Sequence, residues 1–110
     1  MDSVTSDYDV VERTLRGVMH RYRTEKNRTV TAFDRENGQF VLLREGWDGY
    51  HRNHFAWIHI ELRDGKYWIH RDGTEHGIAN DLVEAGIPKE RIVLAFQHPV
   101  RRERGEFAVQ

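Results

Sequence analysis

Two Asp-Gly pairs, Asp48-Gly49 and Asp64-Gly65, stand sixteen residues apart and join three segments rich in aromatic and β-branched residues. Asp-Gly is the preferred pair for a two-residue type I′ turn, because both central residues take a positive φ and the twist of the turn matches that of the flanking strands. The sequence therefore predicts a three-stranded antiparallel meander between Gln39 and Asp72, with strands at 39–47, 50–63 and 66–71.

The two turns also predict on which side of the sheet each side chain lies. In the simplest register Trp47 lies opposite Tyr50, and Arg63 lies opposite Lys66. Because strand residues alternate sides, one face is expected to be almost wholly aliphatic: Val41, Leu43, Ala56, Ile58, Ile60, Leu62, Tyr67 and Ile69. The other face is expected to mix aromatic residues, histidines and one acid: Phe40, Leu42, Phe55, Trp57, His59, Glu61, Trp68 and His70. A β-bulge in the long middle strand would shift part of these lists.

Helical spacing precedes the meander. Ser6 is expected to cap a first helix, with Asp9 as its capping-box partner. The apolar stripe of this helix consists of Tyr8, Val11, Leu15, Val18, Met19 and Tyr22. The helix is expected to fade near Asn27, and a strand from Thr29 to Phe33 leads through a turn into the meander.

A second helix is predicted after the meander, starting near Thr74 as N-cap and stopping at Gly86. Gly followed by an apolar residue and then Pro is a strong stop signal. Residues Arg91 to Gln97 are predicted to form a buried strand that can pair in parallel with a strand of the meander. The expected fold is therefore one α+β domain over residues 1–110, a mainly antiparallel sheet with two helices on its aliphatic face.

The composition indicates a soluble, cytoplasmic protein. The chain has 110 residues, of which 38% are hydrophobic and 32% charged, with a net charge of −1. This balance produces no global field that would draw the chain to nucleic acid or to an anionic membrane. Cysteine is absent, which fits a reducing compartment. Residues 1–7 lack the basic and apolar regions of a signal peptide, and no apolar run reaches the ~20 residues of a membrane span.

The aromatic face is the main functional clue. A solvated sheet face is expected to be polar at alternate positions, whereas this face carries two Trp and two Phe beside His and Glu. We interpret Phe40, Leu42, Phe55, Trp57, His59, Trp68 and His70 as an interface for a homo-oligomer or a protein partner. Coverage by the C-terminal tail and use as a small-molecule or nucleotide stacking surface are the alternatives.

Metal and catalytic sites are not predicted. His59 and His70 could meet near Glu61, but catalytic zinc needs three protein ligands, so we expect neither a metal nor a cofactor. Asp72 and Glu75, together with Asp81, could form a metal-dependent nuclease or hydrolase site, although acids near a helix start are also stabilising in themselves. With no cysteine and no serine beyond position 6, Ser or Cys nucleophilic catalysis is nearly excluded. We therefore expect a protein without catalytic residues.

The first helix carries a basic flank. Arg13, Arg16, His20 and Arg23 lie roughly opposite its apolar stripe and could contact DNA phosphates. Such a flank is equally typical of a solvated helix face. With the net charge near zero, we expect direct DNA binding to be weak or absent.

Several segments in a fixed order resemble the XisI-like family. They are 42–49 (LLREGWDG), 72–75 (DGTE), 77–79 (GIA), 82–88 (LVEAGIP), 92–96 (IVLAF) and 105–109 (GEFAV). The resemblance extends from about Tyr8 to the end of the chain. It implies a small α+β protein of bacteria, chiefly cyanobacteria, of the kind named for control of fdxN element excision. It also implies a partner similar to XisH, which resembles restriction-type nucleases, while the family offers no catalytic residues to transfer.

The function expected from the sequence is therefore that of a non-enzymatic accessory protein. It would form a homo-oligomer and control DNA rearrangement or nuclease activity through an XisH-like partner. Two alternatives remain open: a small nuclease or hydrolase that uses Asp72 and Glu75, and an accessory factor that binds DNA directly through the flank from Arg13 to Arg23.

Overall fold

A computed structural model describes residues 6–110 and contains one five-stranded sheet with strand order β1-β2-β3-β4-β5. The elements in chain order are α1 (Asp7–Arg21), β1 (Asn27–Asp34), β2 (Gln39–Asp48), β3 (His51–Arg63), β4 (Lys66–Asp72), α2 (Ile78–Glu84), a 3-10 turn (Lys89–Arg91), β5 (Ile92–Leu94) and α3 (Pro99–Arg102). The first four strands are antiparallel, and β5 is parallel to β4. The predicted α+β class is confirmed. Residues 1–5, part of the segment in which we expect no signal peptide, lie outside the described part.

Helix α1 begins as predicted but ends at Arg21, six residues before the predicted end near Asn27, which is already the first residue of β1. The Ser6 hydroxyl accepts a hydrogen bond from the Asp9 amide at 3.2 Å and so caps the helix. The inward face buries Val10, Val11, Leu15 and Val18 against the sheet. None of the helices in residues 6–110 is both long enough and apolar enough to cross a membrane.

Helix α2 begins later than predicted. Thr74 is not its N-cap: the helix starts at Ile78, after Gly77 with φ of 91°. The carboxylate of Asp72 explains the delay, because Oδ1 accepts from the Thr74 amide and hydroxyl and Oδ2 accepts from the Ile78 amide at 2.7 Å. The predicted stop is confirmed, since the chain leaves the helix at Gly86 with φ of 100°.

The final strand is shorter than predicted. Only Ile92–Leu94 pair with β4, and the chain then turns, with the Gln97 amide bonded to the Leu94 carbonyl at 3.0 Å. The predicted parallel pairing is confirmed.

The second hairpin has the predicted register from Arg63–Lys66 as far as Ile60–Ile69, where a bulge leaves His70 as the extra residue and places His59 opposite Arg71. The first hairpin does not have the predicted register. Asp64 and Gly65 both have a positive φ, as a type I′ turn requires. In the first hairpin Asp48 pairs with His51, so the central turn residues are Gly49 and Tyr50, of which only Gly49 has a positive φ. A type II′ turn needs glycine at this first position.

A β-bulge then reverses part of the predicted face assignment. The pairing of β2 with β3 shifts between Leu42 and Leu43, so that Leu43 lies opposite Ala56 but Leu42 lies opposite Ile58, and Trp57 is the extra residue. The prediction that Phe40, Leu42 and Trp57 lie on the second face is wrong, because all three are buried in the core. The same shift removes from the helix-covered face three residues predicted there: Val41, Leu43 and Ala56.

Beyond the bulge the predicted assignment holds. Ile58, Ile60, Tyr67 and Ile69 are buried in the core, with Leu62 partly buried against it. We call the opposite side of the sheet the open face. The register places on it Gln39, Val41, Leu43, Ala56, His59, Glu61, Trp68 and His70.

Candidate interaction surfaces

The open face carries a connected network of polar side chains. His59 Nε2 lies 2.7 Å from Gln39 Oε1, and the Gln39 amide donates to Glu61 Oε2 at 3.0 Å. Glu61 Oε1 lies 2.8 Å from His70 Nε2, and the two imidazole rings are 4.8 Å apart. Arg63 stacks on Trp68 at 3.9 Å and completes the network.

Two pKa shifts follow from this network. Burial lowers the pKa of His59 below its usual value, and the neighbouring His70 adds to that shift. The hydrogen bond from His70 lowers the pKa of Glu61. His59 and His70 each turn Nε2 to a different protein partner, so they do not converge on a common metal position.

The C-terminal tail covers only one end of the open face. Ala108 bridges to Val93 of β5, and Val93 is fully buried. Arg102 holds the tail in place by donating to the carbonyls of Gln97 and Val109. His59, Trp68 and His70 remain partly exposed, so the alternative of tail coverage applies to β5 and not to the middle of the sheet.

The β2–β3 hairpin projects beyond its neighbours in the sheet. β1 pairs with β2 only as far as Gly46, and β4 pairs with β3 only as far as Ile58. We call residues 47–57 the arm. Three aromatic side chains are exposed on it: Trp47 at 58%, Phe55 at 40% and Tyr50 at 103%. Of the predicted interface residues, Phe55 is therefore the exposed aromatic on the arm. Trp47 and Tyr50, which are exposed beside it, were not among the predicted interface residues.

Charged side chains surround one of the arm aromatics, Trp47. Arg52 lies over the Trp47 ring at 5.5 Å and donates to Glu45 at 2.9 Å. Glu45 also pairs with Arg28 of β1. The two arginines lower the pKa of the Glu45 carboxyl, Arg52 contributing most. The arm thus presents exposed aromatic side chains above a charged base.

The basic flank of α1 is exposed and borders a groove. Arg13, Arg16 and Arg23 are all exposed. A cavity of about 560 Å³ separates the end of α1 from β1 and is lined by Arg16, Met19, His20, Arg23, Thr24, Asn27, Arg28 and Thr29. Arg13 does not line it.

The acids near the flank are already paired. Arg35 binds Asp9 at 2.8 Å and Glu12 at 2.7 Å. Asp7 pairs with Arg91 at 2.8 Å and accepts from the Tyr67 hydroxyl at 2.6 Å. Burial alone would raise the pKa of Asp7, but these hydrogen bonds outweigh burial and lower it.

The acids proposed for a nuclease site have other roles. Asp72 uses both carboxylate oxygens to hold the loop before α2. Asp81 is buried and pairs with Arg21 at 2.8 Å, and Glu75 is exposed. In the described residues, the side chains that bring three ligand atoms together are instead His76, Asp81 and Glu84. Sequence analysis missed this cluster, although the spacing of Asp81 and Glu84 puts both on one helix face.

Comparison with known proteins agrees with this architecture. The family model described as XisI protein matches residues 1–109. The crystal structure of a XisI-like protein from Anabaena variabilis ATCC 29413 has a TM-score of 0.83 at 27% identity, covering 94% of this chain and 95% of that chain. The fdxN element excision controlling factor XisI of the same organism has a TM-score of 0.69 at 28% identity, covering 96% of this chain and 100% of that one. No curated protein matches significantly.

Proposed function

The chain belongs to the XisI protein family, and from this premise we propose that it is a non-enzymatic accessory protein that controls excision of a DNA element through a protein partner. The similar structure described as an fdxN element excision controlling factor supports the link to excision. The partner proposed is an XisH-like protein, as the family resemblance implies, and the proposed place of action is the cytoplasm.

The exposed aromatic arm is the observation that carries the proposal. Trp47, Tyr50 and Phe55 each expose apolar area on the arm, with Trp47 on one side of the hairpin and Phe55 on the other. Exposed apolar patches with a polar rim are typical of protein interfaces, and Trp and Tyr are enriched among the residues that dominate binding. The charged pairs at the base of the arm supply such a rim.

The test measures by calorimetry the affinity of a purified XisH-like protein for the full chain. We expect Trp47→Ser combined with Tyr50→Ser to weaken binding by more than about thirtyfold, since one central aromatic contributes ~2 kcal/mol. Phe96→Ser is the matched control, because Phe96 is also exposed but lies after β5. Wild-type affinity in the double variant, or no complex at all, contradicts the proposal.

A homo-oligomer through the open face is a further part of this proposal. Val41, Leu43 and Trp68 supply apolar contacts there, and His59 and His70 supply polar ones. We expect a dimer or larger at micromolar concentration, and Leu43→Glu should raise the monomer fraction in sedimentation because it places a charge on the face. A wild-type chain that sediments as a monomer contradicts this part.

The absence of enzymatic activity is tested by incubating contaminant-free protein with DNA and Mg²⁺ or Mn²⁺. We expect no cleavage, which is supported by the use of Asp72 in holding the loop before α2. Cleavage that both Asp72→Asn and Glu75→Gln abolish would establish the nuclease alternative instead.

A further inference from the structure

The loop before α2 and one side of α2 bring three potential metal ligands together. His76, Asp81 and Glu84 each offer one ligand atom, and these atoms all lie within 4.8 Å of one another. His76 Nε2 is 2.8 Å from Glu84 Oε2 and 3.8 Å from Asp81 Oδ1. This cluster is separate from the arm and from the open face.

Asp81 provides a second, independent sign of a ligand. Its residue exposure is 6%, yet Oδ2 has no hydrogen-bond partner in the protein. Only Oδ1 is occupied, by Arg21 at 2.8 Å. A buried carboxylate oxygen without a donor is destabilising, and native structures rarely leave one. The oxygen that lies 3.8 Å from His76 is Oδ1, which Arg21 already binds, so the unpartnered Oδ2 is the oxygen that a metal ion would have to recruit.

The donor set and spacing suit a divalent transition metal. Zinc binds imidazole nitrogen and carboxylate oxygen at about 2.0–2.2 Å. Two ligand atoms on a tetrahedral ion at such distances are about 3.3 Å apart. The observed separations of 2.8 and 3.8 Å lie on either side of that value.

The local charge also favours a dication. Asp81 and Glu84 carry two negative charges, and Arg21 neutralises only one of them. We propose that His76, Asp81 and Glu84 bind a divalent transition-metal ion such as zinc, with the remaining position open to water. Such an ion would fasten the loop before α2 to the helix, and Arg21 would link the site to α1.

The test uses the full chain and zinc chloride, with the histidine side chains observed by NMR. We expect one equivalent of zinc to shift the His76 imidazole signals, and the same concentration of Mg²⁺ to leave them unchanged. His76→Ala and Glu84→Gln should each weaken zinc binding more than about tenfold, the lower end of what changes around a metal site cost. Both side chains are exposed, so the variants should stay folded.

Two control variants complete the experiment. Glu75→Gln removes an exposed carboxylate next to the cluster, and His59→Ala removes a histidine of the open face; neither should change zinc affinity. The proposal is overturned if zinc leaves the His76 signals unchanged, if it shifts the His59 and His70 signals instead, or if His76→Ala binds zinc as the wild type does.

Discussion

Trp57 shows how one extra residue in a strand changes the role of a side chain. Alternation alone put this residue on an interface, but the bulge turns it into the core, where it is 4% exposed. Its ring packs edge-on against Tyr22 at 5.6 Å and lies 4.1 Å from the Arg44 guanidinium. Burial lowers the pKa of Arg44, and the indole face partly compensates its lost hydration. A variant at Trp57 would therefore report on stability and not on assembly.

His59 gives the free energy of unfolding a pH dependence. Burial lowers its pKa in the folded protein, with a further contribution from His70 and an opposing one from Glu61. As pH falls through about 6.5, the unfolded chain binds a proton before the folded chain does. The contribution of His59 to the free energy of unfolding is therefore fully present above that pH. It is lost as pH falls towards the pKa that His59 has in the folded protein.

The expected result is a lower urea midpoint at about pH 5.5 than at about pH 7.5. His59→Gln should lose part of this difference, because its amide does not titrate. His51→Gln, on the exposed turn of the arm, should keep the full difference. An unchanged pH dependence in His59→Gln would show that this imidazole does not carry the effect.

At the scale of single elements, local signals predicted most of the fold. The Ser6 cap, the Asp64-Gly65 turn and the glycine stop at Gly86 depend on neighbours within a few residues, and all three are confirmed. The predicted apolar stripe of α1 is confirmed at Val11, Leu15 and Val18, whereas Tyr8 is exposed and Val10 is buried in addition. The Thr74 hydroxyl does accept from the Gly77 amide at 3.2 Å, but the start of α2 differs because the Asp72 carboxylate binds the amides of Thr74 and Ile78 and holds the residues between them as a loop. A bulge depends on packing across strands, so no local pattern locates it.

Gly73 links the bulged strand to the loop before α2. Its amide donates to the Trp57 carbonyl at 2.9 Å. A Cβ at this position would overlap Trp57 Cδ1 and lie 2.7 Å from Nε1. We expect Gly73→Ala to lower the free energy of unfolding by roughly 1–3 kcal/mol, as overpacking does, measured by urea denaturation.

Gly17→Ala is the matched control for Gly73→Ala. Gly17 lies within α1, and a Cβ there would meet nothing within 4 Å. Alanine is favoured over glycine in a helix by about 1 kcal/mol, so the control should be stabilised. A Gly73→Ala protein as stable as the wild type would show that Trp57 can move without cost.

At the scale of the whole molecule, the candidate site was only partly predictable. Sequence analysis predicted an aromatic interface, and the structure does expose aromatic residues, but on the arm: Trp47, Tyr50 and Phe55. The exposure of these three side chains depends on where the neighbouring strands end. β1 pairs with β2 no further than Gly46, and β4 pairs with β3 no further than Ile58. Relative strand lengths are set by tertiary packing, and for that reason the periodicity of one strand does not reveal them.

The charge distribution of the whole molecule bears on direct DNA binding. Arg13, Arg16 and Arg23 are exposed on α1. Of the three acids near them, Asp7 pairs with Arg91, while Asp9 and Glu12 share Arg35, so one negative charge is left unbalanced. Most of the negative charge near the flank is therefore balanced by these two arginines. The net charge of −1 still supplies no long-range attraction, and the flank itself offers few phosphate contacts.

We therefore expect weak, sequence-independent DNA binding that disappears near physiological salt. Three arginines give a slope of log K against log salt of only about −2.7, at about −0.9 for each phosphate contacted. The measurement is a titration of labelled duplex at about 50 mM and about 150 mM salt. The triple change of Arg13, Arg16 and Arg23 to Ala should abolish the residual binding, whereas Arg101→Ala with Arg104→Ala, in and after α3, should not. Tight binding at the higher salt that the triple change destroys would mean that α1 acts on DNA itself and that a protein partner is not required for contact with the excised element.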